Sequence, residues 1–337
     1  MLHDALLYDE LEGGQVQCSL CAHRCRIRDG SRGICRVREN REGKLYTLVY
    51  GNLIAEHVDP IEKKPLYHFL PGTRAYSIAT PGCNFRCAWC QNWQISQMPR
   101  EIRMPEQQRV PPESVVESAL NSNCQTIAYT YTEPTIFFEY SYDTAKLAAK
   151  EGLKNVYVTN GFMTSEMLEV MEPYLDGANV DIKAFEDETY RTFMGGRLEP
   201  VLESCRLMKS KGIWLEVTTL IVPGVNDDPD ELEALASFIY HDLGPDTPWH
   251  LSRYYPQYEM KDRPPTDESI LYETKLMGEA IGLEYIYLGN ILGDNQTSCK
   301  VCGNPLILRN GYTTRVESLD STSACKECGT VLDGVFD

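Results

Sequence analysis

The middle of the chain alternates between two kinds of segment. Short β-branched or aromatic runs occur at Ala75–Ala79, Thr126–Thr130, Asn155–Thr159, Ala178–Ile182, Ile213–Leu220, Trp249–Ser252 and Glu284–Leu288. Between them lie helical patterns such as Pro134–Glu151, Ser165–Tyr174, Pro200–Lys211, Pro229–Leu243 and Asp267–Ile281. Repeated strand–helix alternation needs helical crossovers, and crossovers make a parallel sheet. The expected fold class is α/β: a partial or full (β/α) barrel of about six parallel strand–helix units. A doubly wound open sheet is the alternative. In the barrel, the residues that do chemistry sit at the C-terminal ends of the strands.

Cysteine usage divides the chain. Eleven of the thirteen cysteines fall into three compact groups. The expected units are a Cys-rich metal-binding module over 1–50, the barrel over 51–294 and a second Cys-rich module over 295–337. The N-terminal residues are acidic and lack the basic-then-apolar pattern of a secretory signal, so the expected location is cytoplasmic. Thiols stay reduced there, and grouped cysteines point to metal rather than disulfides. Cys124 and Cys205 stand apart and are read as small buried apolar residues. The formal charge of −17 argues against nucleic acid as a partner, which would need clustered Lys and Arg. No stretch has the apolar length of a membrane span.

The segment Thr80-Pro-Gly-Cys-Asn-Phe-Arg-Cys-Ala-Trp-Cys-Gln-Asn92 follows the first parallel strand directly. Its spacing is Cys-x3-Cys-x2-Cys. Thiolates are the usual ligands of iron–sulfur clusters. Three on one tight loop can hold three irons of a cubane and leave the fourth open, and an open position marks a catalytic metal site. A zinc site completed by a distant fourth ligand is the competing reading.

With Trp89 just before the third cysteine, the motif resembles the Cys-x3-Cys-x-aromatic-Cys signature of the radical S-adenosylmethionine (radical SAM) superfamily. More closely, the chain is similar to the AmmeMemoRadiSam system radical SAM enzymes, relatives of the pyruvate formate-lyase activating enzyme. The likeness also runs through the Cys18–Cys35 segment, Asp59-Pro-Ile-Glu-Lys-Lys-Pro-Leu-Tyr-His68, Cys90-Gln-Asn-Trp93 and Tyr285-Ile-Tyr-Leu-Gly-Asn290. The resemblance implies that Cys83, Cys87 and Cys90 hold a 4Fe–4S cluster. It implies that S-adenosylmethionine (SAM) chelates the open iron and is cleaved reductively to a 5′-deoxyadenosyl radical, which takes a hydrogen from substrate. It also implies an electron donor such as ferredoxin or flavodoxin.

Further roles carry over position by position. Trp89 is placed near the adenine, against a plain core tryptophan. Thr132 and Glu133, after the second parallel strand, stand where relatives carry a Gly-Gly-Glu motif for the SAM amino group. Glu133 opening a helix ahead of Pro134 is the alternative. Asn160, in Thr159-Asn-Gly161, is a candidate SAM contact or part of a Gly turn. Val158 replaces the acidic residue of a monovalent-cation site, so no such site is expected. Asp181 and Lys183 share one face of their strand and match an Asp-Leu-Lys motif expected near the SAM ribose and carboxylate, with an internal ion pair as the alternative. His250 matches a histidine that approaches SAM, or is a hydrogen-bonded core histidine. Val222-Pro-Gly-Val-Asn226 is read as a shaped turn.

Cys299-x2-Cys302 and Cys325-x2-Cys328 read as a zinc ribbon or rubredoxin-like site, with zinc first and a single iron second. Cys18, Cys21, Cys25 and Cys35 read as a zinc site or a second iron–sulfur cluster. The substrate is a protein, in the manner of glycyl-radical activases, or a small molecule handled beside Memo-like and AMMECR-like partners. A non-catalytic metal-binding or electron-transfer protein is the reading from another class.

Overall fold

The structure, a computed structural model, describes residues 2–101 and 109–337. Its centre is an eight-stranded sheet. The strands are β1 Ala55–Pro60, β2 Arg74–Ala79, β3 Thr126–Tyr129, β4 Lys154–Thr159, β5 Gly177–Asp181, β6 Trp214–Ile221, β7 Trp249–Arg253 and β8 Ile286–Gly289. β2 to β8 are parallel, and β1 runs antiparallel beside β2. Spatial order follows chain order without reversal. A doubly wound sheet would reverse at a switch point, so that alternative is excluded. β1 and β8 are not paired to each other, which makes the array an open, partial barrel. Nearly continuous burial along β3, β4, β5 and β6 reflects cover on both faces.

The crossover helices are α1 Pro112–Asn121, α2 Phe138–Lys150, α3 Ser165–Met171, α4 Glu199–Ser210, α5 Pro229–Phe238 and α6 Glu268–Ile281. Their starts follow local chemistry. Thr164, Asp228 and Asp267 accept backbone N–H bonds as N-caps, and Pro229 sits in the first turn of α5. The expected Pro229–Leu243 helix is present, but its last turn, Ile239–Leu243, widens to π geometry.

Two small antiparallel sheets precede the barrel, and one, spanning Asp294–Ser298, Pro305–Asn310 and Thr313–Val316, follows it. The last sheet packs Leu306 and Ile307 against Tyr67, Tyr285 and Tyr287 of the barrel. A hydrogen-bond chain crosses this seam. Buried Arg309 donates to Thr297 Oγ1 (2.8 Å), Thr297 to Tyr287, and Tyr287 to His68 Nε2 (2.6 Å). His68 Nδ1 donates to Asp333 O (2.7 Å). Arg309 also lies 4.3 Å over the Tyr67 ring. At the other end, a buried Arg38–Glu139 ion pair of 3.0 Å ties the N-terminal segment to α2. Among the described residues no helix is long and apolar enough to cross a membrane.

Candidate functional site

A cavity of about 420 Å³ opens at the C-terminal ends of the strands. Residues from β2 through β8, or the turns that follow them, share it: Cys83, Thr130, Asn160, Asp181, Leu220, Ser252 and Asn290. A flat sheet cannot bring seven strand ends to one space, so the array curves around it.

Cys83, Cys87 and Cys90 all line this cavity, on the loop after β2. Among the described residues no three of their donor atoms gather tightly enough for one ion, whereas a cubane places each thiolate on a different iron. The donor set of three thiolates facing a cavity therefore fits a cluster with one open position. Phe85 N donates to Cys83 Sγ at 3.3 Å, and Asn160 Nδ2 lies 3.8 Å from it. Arg100 donates to Cys83 O (3.0 Å) and Phe85 O (3.1 Å), fastening the loop from behind. Burial pushes the Cys87 thiol up to about 12, with Lys183 opposing. Cluster assembly must displace such protons.

Six of the seven other predicted site residues fall near one another, and they divide by what their polar atoms do. Trp89 is buried and also lines the cavity, so packing and access coincide. Thr132 lines it while donating to Thr80 O (2.8 Å). Asn160 lines it and spans the floor, with Nδ2 on Asn84 Oδ1 (2.8 Å) and Oδ1 accepting from Phe162 N (3.0 Å). Asp181 and Lys183 line it together and pair at 2.9 Å. Burial works against the Lys183 charge, but Asp181 and the Cys87 sulfur raise its pKa above the usual lysine value. Asn226 holds the turn beneath them, donating to Lys183 O (2.7 Å) and Leu220 O (2.9 Å).

Glu133 is placed differently from the expected SAM contact. Its side chain is fully buried behind the cavity wall, with Oε1 accepting from Thr135 N (3.0 Å), Thr135 Oγ1 (2.6 Å) and Thr159 Oγ1 (2.6 Å). Oε2 accepts from Asn160 N (2.8 Å). Burial raises its pKa and these donors counter it. The carboxylate joins the turns after β3 and β4 and so positions Asn160.

His250, the seventh, lies outside the cavity, two residues deeper in β7 than Ser252, which lines it. Its Nε2 donates to Glu216 Oε2 at 2.7 Å. Fully buried Glu216 also accepts from Tyr67 N (2.9 Å), His68 N (2.8 Å) and Trp214 Nε1 (3.0 Å). The core reading of His250 is the one the geometry supports.

Sequence reasoning missed Lys63, Lys64 and Tyr131, which line the same cavity. Asp59 gathers them: Lys63 Nζ at 2.8 Å, Lys64 Nζ at 2.7 Å and Tyr131 Oη at 2.5 Å. Burial would raise the Asp59 carboxyl, but these three donors hold it well below the usual range. Burial lowers Lys64 to about 8 despite its partner. Tyr131 holds a left-handed φ of 65°, unusual for a bulky residue and typical of strained functional turns. The signal was the acidic-then-dibasic pattern Asp59…Lys63-Lys64 ahead of the first parallel strand, a place strand-end logic does not inspect.

At the C-terminus, the donor atoms of Cys299, Cys302, Cys325 and Cys328 all lie within 4.8 Å of one another. Cys299 and Cys328 sulfurs are 3.5 Å apart, and those of Cys302 and Cys325 are 3.7 Å apart. A tetrahedral ion with metal–sulfur bonds of about 2.3 Å needs edges of roughly 3.8 Å. The set fits one four-coordinate ion with no open position.

Comparison with known proteins agrees with this geometry. The family model for the Radical SAM superfamily matches residues 77–239. An uncharacterized protein of Methanocaldococcus jannaschii is 43% identical over 338 residues, 99% of this chain and 100% of the relative. The pyruvate formate-lyase-activating enzyme of Staphylococcus epidermidis is 23% identical over 224 residues, covering 59% of this chain and 86% of that enzyme. A radical SAM methyltransferase from Sphaerobacter thermophilus shares the fold with a TM-score of 0.50 at 15% identity, over 65% of this chain and 67% of its own.

Proposed function

Because the chain belongs to the radical SAM superfamily, we propose that it acts on a protein substrate, as an activase that removes a hydrogen atom from a polypeptide held at the cavity mouth. The observation that carries this reading is the cavity itself. At about 420 Å³ it lies near the small end of the roughly 300–1,000 Å³ typical of ligand sites, and the cluster and SAM must share it, which favours a substrate that enters from outside. Homology to pyruvate formate-lyase activating enzymes supports the same substrate class.

When bound, a 4Fe–4S cluster supplies one electron to the SAM sulfonium, and cleavage gives the 5′-deoxyadenosyl radical characteristic of the superfamily. The chain's own residues do the rest. Cys83, Cys87 and Cys90 would hold the cluster and leave one iron for the SAM amino and carboxylate groups. Asp181 and Lys183 present a carboxylate and an ammonium to the ribose hydroxyls and the SAM carboxylate. Thr132 offers a hydroxyl to the amino group, and Trp89 an apolar face to the adenine. Asn160 keeps the floor of the cavity in register with the cluster loop. Lys63, more exposed than buried Lys64, and Tyr131 line the cavity around Asp59, where a polypeptide carbonyl or carboxylate can dock.

The test is incubation of reduced, cluster-loaded enzyme and SAM with candidate glycyl-radical polypeptides, followed by electron paramagnetic resonance (EPR). A Cα-centred organic radical on the polypeptide supports the activase reading. SAM consumption that leaves every polypeptide unmodified and depends on an added metabolite overturns it in favour of small-molecule chemistry.

A further inference from the structure

We infer that Cys18, Cys21, Cys25 and Cys35 hold a second iron–sulfur cluster, seated beside the central cysteine loop and serving it as an electron relay. The relay rests on the reading of Cys83, Cys87 and Cys90 as a 4Fe–4S site.

The molecule contains its own standards for sulfur spacing. The C-terminal four sulfurs are drawn together, as one ion requires. The central three are not. The N-terminal set follows the central pattern. Among the described residues, no three of its donor atoms form such a group. Yet Cys21 remains within electrostatic reach of Cys18, Cys25 and Cys35. Four thiols that act on one another yet are not drawn together as the C-terminal four are match a polynuclear centre, in which each binds its own iron.

A second observation comes from Arg38. Its guanidinium is 1% exposed and lies within reach of Cys18, Cys35 and Cys21. One nitrogen, Nη2, serves Leu6 O and Glu139. Nε and Nη1 are buried without a partner among the described residues. Unpaired buried N–H groups are unfavourable, and an anionic centre with sulfide acceptors supplies the charge and the hydrogen-bond partners they lack.

Position gives the cluster its role. His23, two residues after Cys21, donates from Nε2 to Asn84 O at 2.9 Å, next to Cys83. Arg100 Nη2 donates both to Ile34 O (3.2 Å), beside Cys35, and to Cys83 O (3.0 Å). The two cysteine sets are thus joined through single side chains. Zinc has no redox chemistry and would make this contact purely structural. An iron–sulfur cluster there accepts one electron from a low-potential protein donor of the ferredoxin or flavodoxin class and passes that electron to the central site. The donor is oxidised, the central site is reduced, and no bond or proton changes place.

The experiment is anaerobic reconstitution of the full chain with iron and sulfide, then counts of iron, acid-labile sulfide and zinc. The wild type is compared with C83A/C87A/C90A and C18A/C21A. The proposal expects about eight sulfides in the wild type and about four in each variant, since each cubane carries four. The central-loop variant should also give a paramagnetic signal on dithionite reduction. About four sulfides in the wild type, absent from the central-loop variant, with two zinc ions per chain, overturns the proposal and leaves the central reading standing. About four in the wild type that persist in the central-loop variant overturns the central reading and, with it, the relay. The wild-type count needs no variant to fold, and a mononuclear iron at the C-terminus adds no sulfide.

Discussion

Glu133→Ala tests how the site is held together. The carboxylate is fully buried and accepts four hydrogen bonds, two from the backbone N–H groups of Thr135 and Asn160. The Thr135 and Thr159 hydroxyls can rotate toward other acceptors, but the backbone groups cannot. Each buried N–H left unpaired costs about 1–3 kcal/mol, so the substitution should destabilise the protein by about 2–6 kcal/mol. For 337 residues at about 2.1 cal/mol/K each, the unfolding entropy is near 0.7 kcal/mol/K. The expected fall in Tm is therefore about 3–9 °C for a single cooperative transition. Anaerobic calorimetry measures this, with SAM affinity determined on the same preparation. Affinity should weaken because Asn160 loses its anchor. Unchanged Tm with abolished SAM binding would refute the reasoning: the carboxylate would then contact the ligand and not the turns.

Three further outcomes are expected. Gly161 has φ +67°, and a Cβ there would lie 2.8 Å from Val180 Cγ1. Gly161→Ala should lose about 2–5 kcal/mol in denaturant unfolding, from about 1–2 for the left-handed backbone and 1–3 for overpacking. Burial lowers His68 from 6.5 to about 4, so the folded state holds it neutral while the unfolded chain takes up a proton between those values. Stability should fall as pH drops from about 6.5 to 4, by at most about 3.4 kcal/mol at 1.36 kcal/mol per pKa unit, and the slope should flatten in His68→Gln when both are melted across that range. Cys325→Ser should remove one tightly held metal ion per chain by elemental analysis without changing the sulfide content. Unchanged metal content would show that the C-terminal four do not form one site.

Much of the barrel was legible because parallel strands buried on both faces leave continuous apolar runs, as at Thr126–Tyr129 and Gly177–Asp181. The three-cysteine loop stood out by its spacing and its place after the first parallel strand, and all three thiols line the cavity. What escaped depended on depth and direction. Alternation puts His250 and Ser252 on one face of β7 but does not say that only Ser252 reaches the cavity. Glu133 sits at a strand end, yet its carboxylate turns inward because the N–H groups of Thr135 and Asn160 need an acceptor there. Lys63 and Lys64 reach the cavity from the segment after antiparallel β1, outside the strand–helix repeat. The N-terminal cysteines were ambiguous because zinc and cluster ligands share similar linear spacings and differ in the space between sulfurs.

The central claim is that this cavity cleaves SAM reductively at a cluster held by Cys83, Cys87 and Cys90. The direct measurement is 5′-deoxyadenosine, by mass spectrometry, from reconstituted, dithionite-reduced protein given SAM, with Cys87→Ala prepared in parallel. The account predicts product from the wild type and none from the variant. Equal product from both, or none from a wild type whose cluster is complete and reduced and whose polypeptide substrate is present, would contradict it.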